Sequence, residues 1–171
     1  METSGWTESV YYRDVEPRRI RLTFVATGES VLADLLWDDA PQTCERIWSR
    51  LPVEARAIHG MYSGAEVFTM LEDPPPSPEE NLVQLPLPGE LLYFYDQGRG
   101  AVGARKPVGE ICMVYGRGVV LRGHECVPIH ASLFARIPGD WKHDWTAFAQ
   151  ACRKCRWEGP QVLRIERGAG M

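Results

Sequence analysis

The chain lacks long apolar runs. The longest span about five residues, such as 91–95, against the ~20 that a membrane-spanning helix needs, so no membrane association is expected. It also lacks an excess of basic residues: 19 Lys and Arg face 23 Asp and Glu, a formal net charge of −4. Nucleic-acid affinity comes largely from neutralising phosphates with a basic surface, so no nucleic-acid partner is expected either. The opening METSGWTESVYYRD has neither the basic start nor the apolar stretch of an export signal. Cysteines are few and odd in number: Cys44, Cys112, Cys126, Cys152 and Cys155. An odd count without an export signal reads as reduced thiols in a cytoplasm. Cys152 and Cys155 form a lone CxxC inside a helical pattern, with no second pair at zinc spacing, and read as core filling. No Gly-x-Ser-x-Gly elbow, HExxH or phosphate-loop ending is present, and the sequence calls for no cofactor and no metal.

What is present is apolar alternation in short stretches. At 171 residues, 44% hydrophobic and 25% charged, the chain has the composition and length of one globular domain with a full core. Residues 1–19 read as an N-terminal arm and 20–171 as a single domain. Ile20, Leu22, Phe24 and Ala26 alternate with Arg21, Thr23 and Val25, and after a Gly28 turn Val31, Ala33, Leu35 and Trp37 repeat the period of two, which predicts a hairpin. Ala40, Cys44, Ile47, Trp48 and Leu51 fall on one helical face. Asp39 is the expected N-cap, with Gln42 closing a capping box and Pro52 ending the helix. Short strands follow around 57–59, 66–71, 91–95, 110–115 and 131–137. A second helix carries Trp141, Trp145, Phe148, Ala149 and Cys152 on one face, with Asp140 or Asp144 as its cap and Arg153, Lys154 and Arg156 offsetting its C-terminal dipole. A closing strand alternates around Leu163 and Ile165. About eight short strands and two helices point to a mainly β barrel or sandwich, and two helices can plug the open ends of a closed barrel.

Polar residues concentrate in two places. AIHGMYSGAE, residues 57–66, holds His59, Tyr62, Ser63 and Glu66 beside two glycines and directly before a strand. GHECVPIHAS, residues 123–132, holds His124, Glu125, Cys126 and His130. If the two meet, they form a pocket. His59, Ser63 and Glu66 suit acid–base chemistry or binding near neutral pH; the alternative is a histidine that holds a turn together. Ideal alternation places His59 and Ser63 on one side and Glu66 on the other, unless the Ser63-Gly64 turn resets the register. His124, Cys126 and His130 offer soft metal ligands, but not at a recognised spacing. Tyr93, Tyr95 and Tyr115 complete a core or stand at a pocket mouth. Arg99, Arg105 and Lys106, in the Gly-rich loop 96–109, either clamp an anion or are solvated.

The segments DDAPQTCERIWSRLP, PGELLYFY and EICMVYGRG resemble the first helix and paired strands of cyclophilins and their small bacterial relatives. IHGMYSGAE, the ENLVQLPLPGELLYF run and WEGPQVLRIE resemble an uncharacterised bacterial branch of that superfamily, DUF3830, over about residues 20–167. The resemblance implies a closed cyclophilin-like β-barrel of about eight strands with two capping α-helices, and places His130 near the pocket. It implies no activity. Cyclophilin isomerases carry a Phe-His-Arg motif whose arginine weakens the proline amide resonance. This chain has no arginine between His59 and Leu71, so efficient prolyl isomerisation is not expected against a barrier of ~18–20 kcal/mol.

The expectation is a cytoplasmic barrel that binds a small molecule or peptide through His59, Tyr62, Ser63, Glu66, Tyr115 and His130. The alternatives are an enzyme on the same scaffold (residual prolyl isomerase, or His59 and Glu66 acting on a small acid or amide) and an interaction module docking a protein through loop 73–81 or 96–109. The Trp-rich stretch 141–157 offers a face for self-association into a homo-oligomer.

Overall fold

The computed structural model describes residues 18–100 and 103–168. The expected arm lies outside the described residues except for its last two. Of these, Arg18 stacks on the Trp37 ring at 4.6 Å and Arg19 opens the first strand.

Strands β1 (Arg19–Phe24) and β2 (Ser30–Leu35) form the expected hairpin, with Ile20 opposite Ala33 and Leu22 opposite Val31. Helix α1 spans Pro41–Trp48. Strands β3 (Val53–His59), β4 (Glu66–Met70), β5 (Leu82–Val83), β6 (Glu90–Asp96), β7 (Val108–Val114) and β8 (Ala131–Arg136) follow, then helix α2 (Thr146–Trp157) and strand β9 (Gln161–Arg167). Every pairing is antiparallel. Eight strands run in the order β2-β1-β9-β3-β4-β7-β6-β8, and β2 pairs with β8 through Asp34↔Arg136 and Leu35↔Ala135 to close the barrel. The two-residue β5 attaches to β8 outside this ring. Closure removes the exposed sheet edges that invite aggregation.

Alternation assigns each strand two rows. The inward row, including Ile20, Leu22, Val67, Leu91, Tyr93, Ile111, Met113, Phe134 and Ile165, makes the main core. Ala40, Cys44, Ile47 and Leu51 from α1 and its flanks join it, as do Phe148, Ala149, Cys152 and Cys155 from α2. Both helices therefore pack their apolar faces on the barrel interior, with Phe24 and Phe148 ring centroids 5.2 Å apart. The CxxC cysteines are free thiols buried in this core, and burial raises the pKa of both.

Three local expectations are corrected. The α1 N-cap position is Ala40, without a side-chain cap. Glu80, from the proline-rich loop, accepts hydrogen bonds from the N–H groups of Gln42 (3.2 Å) and Thr43 (2.8 Å) and from Thr43 Oγ1 (3.0 Å). Helix starts leave backbone donors unpaired, and here a distant carboxylate takes them. In α2 the N-cap position is Trp145; Asp140 and Asp144 tie the preceding turn, where Asp144 Oδ2 accepts from the Asp140 N–H at 2.6 Å. Strand β3 begins at Val53 rather than near 57 because it pairs with β9 from Val53↔Ile165 onward; its small alanines among Glu54 and Arg56 left little apolar signal.

Candidate functional site

The outward rows of β4, β7 and β6 form a second apolar surface. Cross-strand register lines up Phe68, Cys112 and Leu92, and then Met70, Glu110 and Phe94. Leu92, Phe94, Cys112, Val114, Val119, Leu121, Ala131 and Leu133 form a separate core cluster there, with Phe68 and Ile129 packed against it. A segment without regular strands folds over this surface: Ile129 N–H donates to the Leu121 carbonyl (3.3 Å), Gly123 N–H to the Val127 carbonyl (2.8 Å), and a short 3-10 turn spans His124–Cys126.

The two polar segments meet here. Ser63 Oγ accepts from the Arg122 N–H (3.0 Å) and donates to the Arg122 carbonyl (3.3 Å). The Val120 N–H donates to the Ser63 carbonyl (3.1 Å). The Tyr62 and His124 rings stand edge to face at 6.4 Å. Between sheet and loop lies a cavity of about 450 Å³. Its floor is Phe68, Met70, Phe94, Val108, Glu110 and Cys112; its walls include Tyr62, Ser63, Glu66, Leu121, Arg122 and His124.

Glu66 is 6% exposed, and its Oε2 has no hydrogen-bond partner. Burial pushes its carboxyl up, with the neighbouring Ser63 hydroxyl pulling part of the way back. Space for this side chain comes from Gly60, where a Cβ would lie 2.6 Å from Glu66 Cγ and Oε1. Glu110 sits in the ladder between Met70 and Phe94. Burial, and secondarily the Glu66 charge, push its carboxyl up to about 7. Among the described residues neither carboxyl takes part in a salt bridge. Burial, Glu66 and Glu110 together raise the Cys112 thiol well above its ordinary value.

Of the sequence-predicted site residues, Tyr62, Ser63 and Glu66 line this cavity. His59 and Tyr115 do not. His59 pairs across the sheet with the inward-facing Val67, so alternation puts it on the opposite face from Glu66, while the turn at Gly64 returns Ser63 to the Glu66 side. His59 Nδ1 lies 2.8 Å from the Gly60 carbonyl, and Nε2 2.7 Å from Tyr115 Oη. A carbonyl only accepts, so Nδ1 carries the proton and Nε2 accepts from the tyrosine. Burial lowers the His59 pKa, with the Gly60 carbonyl pulling part of the way back. His59 is a clasp between β3 and the end of β7. Tyr115 also borders a smaller cavity of about 180 Å³ against α2, lined by Trp141, Ala149 and Arg153.

His130 is exposed and lines a neighbouring cavity of about 370 Å³, with Asp96 and Arg99. The two outer cavities share Phe94, Ile129 and Ala131. His124, Cys126 and His130 do not converge, and among the described residues no group of three or more metal-ligating side chains does. Arg99 and Lys106 border different cavities. Sequence reasoning missed Glu110, Phe68, Phe94 and Cys112 as site residues. A lone glutamate in the strand GEICMV was a usable signal for Glu110, since neighbouring strands there offer it only apolar partners.

Comparison places this architecture among known folds. It is similar to the structure of McbB in complex with tryptophan, at 19% identity and a TM-score of 0.64 over 89% of this chain; the chain spans 45% of the McbB length. It is similar to the solution structure of the hypothetical protein AF2241 from Archaeoglobus fulgidus, at 17% identity and a TM-score of 0.53, covering 89% of this chain and 95% of that one. At these identities the likeness is one of fold. No functionally curated protein matches. Residues 22–166 match the family described as Protein of unknown function (DUF3830), and the chain, a cyclophilin-like barrel, belongs to that family.

Proposed function

We propose that this protein binds a small organic molecule in the cavity between the outer face of β4, β7 and β6 and the 117–131 segment. The observation that carries this reading is the cavity itself: about 450 Å³, walled mainly by apolar and aromatic side chains with a few polar groups. Small-molecule sites have this size and character. Its floor is rigid, because each floor strand buries its other row in the barrel core. The binding of tryptophan by McbB, a protein of similar fold, is compatible with small-molecule binding on such a barrel and carries no residue assignment. Tyr62, Ser63 and Glu66 contact the ligand, joined by Phe68, Phe94 and Glu110; His59 supports the fold, and His130 belongs to the adjoining cavity.

A thermal-shift panel of amines, amides and carboxylic acids tests it, because ligand binding to the folded state raises apparent stability. Met70→Trp fills the floor from a position 43% exposed, where a larger side chain is tolerated. A shift seen in the parent protein disappears in Met70→Trp and survives in His59→Ala. A silent panel moves the assignment to a protein partner.

One observation favours a second reading, acid–base catalysis. Two carboxyls with raised pKa values share one apolar cavity, and Glu110, raised to about 7, exchanges protons near neutral pH. This replaces the His59 and Glu66 pairing, whose members face opposite sides of the sheet. Turnover that Glu110→Gln abolishes establishes it.

A further inference from the structure

The Glu66 carboxylate is the least explained group in the described residues. It is 6% exposed, it lines an open cavity, and its Oε2 is unpartnered. A buried acceptor without a donor is destabilising. Glu110 lies in the floor of the same cavity, four residues along the β4–β7 ladder, with Cys112 Sγ 4.0 Å from its Oε2. The other ionisable groups facing the cavity are few. Arg122 and His124 are exposed at the rim, Arg122 binding Ser63 through its backbone. Tyr62 is 39% exposed. None of them forms a salt bridge with either carboxyl. Among the described residues the cavity therefore offers two acceptors, no positive charge at depth, and an aromatic and thioether lining of Phe68, Phe94, Tyr62, Met61 and Met70.

We infer that the ligand of this cavity is a cationic amine carrying an apolar or aromatic body, with its ammonium group donating to the Glu66 carboxylate. This rests on the binding reading above and names the ligand class for the same site. An ammonium group supplies both the missing donor and the opposite charge, while the body fills the Phe68 and Phe94 surface. Because burial favours the protonated carboxyls, the amine displaces a proton when it binds, and affinity rises with pH until both carboxyls are ionised.

The test uses three molecules with one hydrocarbon: 4-phenylbutylamine, 4-phenylbutanamide and 4-phenylbutyrate. They are titrated calorimetrically into the full chain from pH 5.5 to 8, in two buffers of different ionisation enthalpy. The expected result is that the amine binds at least tenfold tighter than the amide, the carboxylate binds weakest, binding of the amine releases protons, and affinity grows with pH. Glu66→Gln, nearly isosteric and without the charge, loses tenfold or more for the amine and much less for the amide. Glu110→Gln loses less and reduces the proton release. Equal or tighter binding of the amide or carboxylate overturns the inference while leaving the binding cavity intact. Amine binding unaffected by Glu66→Gln also overturns it. If none of the three binds, the binding reading falls and this inference with it.

Discussion

Gly60 and Glu66 show how one missing side chain makes room for another. Gly60 takes no positive φ, so its value lies in space: an alanine methyl there would meet Glu66 Cγ and Oε1 at 2.6 Å. Gly60→Ala should destabilise the protein by about 1–3 kcal/mol, the usual range for overpacking. The loss should shrink to below about 0.5 kcal/mol in a Glu66→Ala background, because the clash then has no partner. A double-mutant cycle by urea denaturation reads both numbers, and an unchanged loss in the second background assigns it to backbone freedom instead. The same residues show what sequence can reveal. Tyr62, Ser63 and Glu66 were legible because polar groups crowd against a strand start. His59 was legible as important but not as inward-facing, since the Gly64 turn decides which residues share its side.

At the scale of elements, alternation and helical spacing carried most of the fold. The β1–β2 hairpin, both helices and the closing strand were legible from their apolar periods. The caps were not, because Glu80 reaches α1 from 37 residues away for its Thr43 contact, and no local motif encodes such a contact. Burial works to raise the Glu80 carboxyl, but the donors on Thr43 and Gln42 outweigh it and hold it below the ordinary 4.5. Its folded pKa is depressed, so its contribution is present above pH 4.5 and fades as pH falls through the lower folded value. Glu80→Ala should therefore lower stability by about 1 kcal/mol at neutral pH, and by less near pH 3. Chemical denaturation at both pH values checks this, and an equal loss at each would assign the effect to packing in the 73–81 loop.

For the whole molecule, the two cavity carboxyls set a pH dependence of the opposite sign. Glu110 titrates near 4.5 when unfolded and at about 7 when folded. The unfolded chain releases that proton first, so folding stability falls as pH rises from 4.5 to about 7 and then levels. The difference corresponds to roughly 3 kcal/mol. Glu110→Gln, which keeps the shape and removes the titration, should gain about 2–3 kcal/mol at pH 8, gain little at pH 4.5, and flatten the slope between. Denaturant midpoints across that range measure it, and a variant with the parent's slope would show that Glu110 is solvated. Barrel closure was legible from strand number and the cyclophilin resemblance, and a pocket between 57–66 and 123–132 as a condition on their meeting, whereas the cavity floor was not. It depends on register between β4, β7 and β6, strands separated by long loops whose pairing no local pattern specifies.

That register separates two jobs within single strands. Val67, Ile111, Met113, Leu91 and Tyr93 belong to the barrel interior, while their neighbours Glu66, Phe68, Cys112 and Phe94 face the cavity. Exchanging the second set reshapes the recess without touching the residues that close the barrel. The scaffold is in this sense modular: a lineage can diversify its chemistry along alternate positions of three strands, and a protein engineer can do the same with a library confined to those positions.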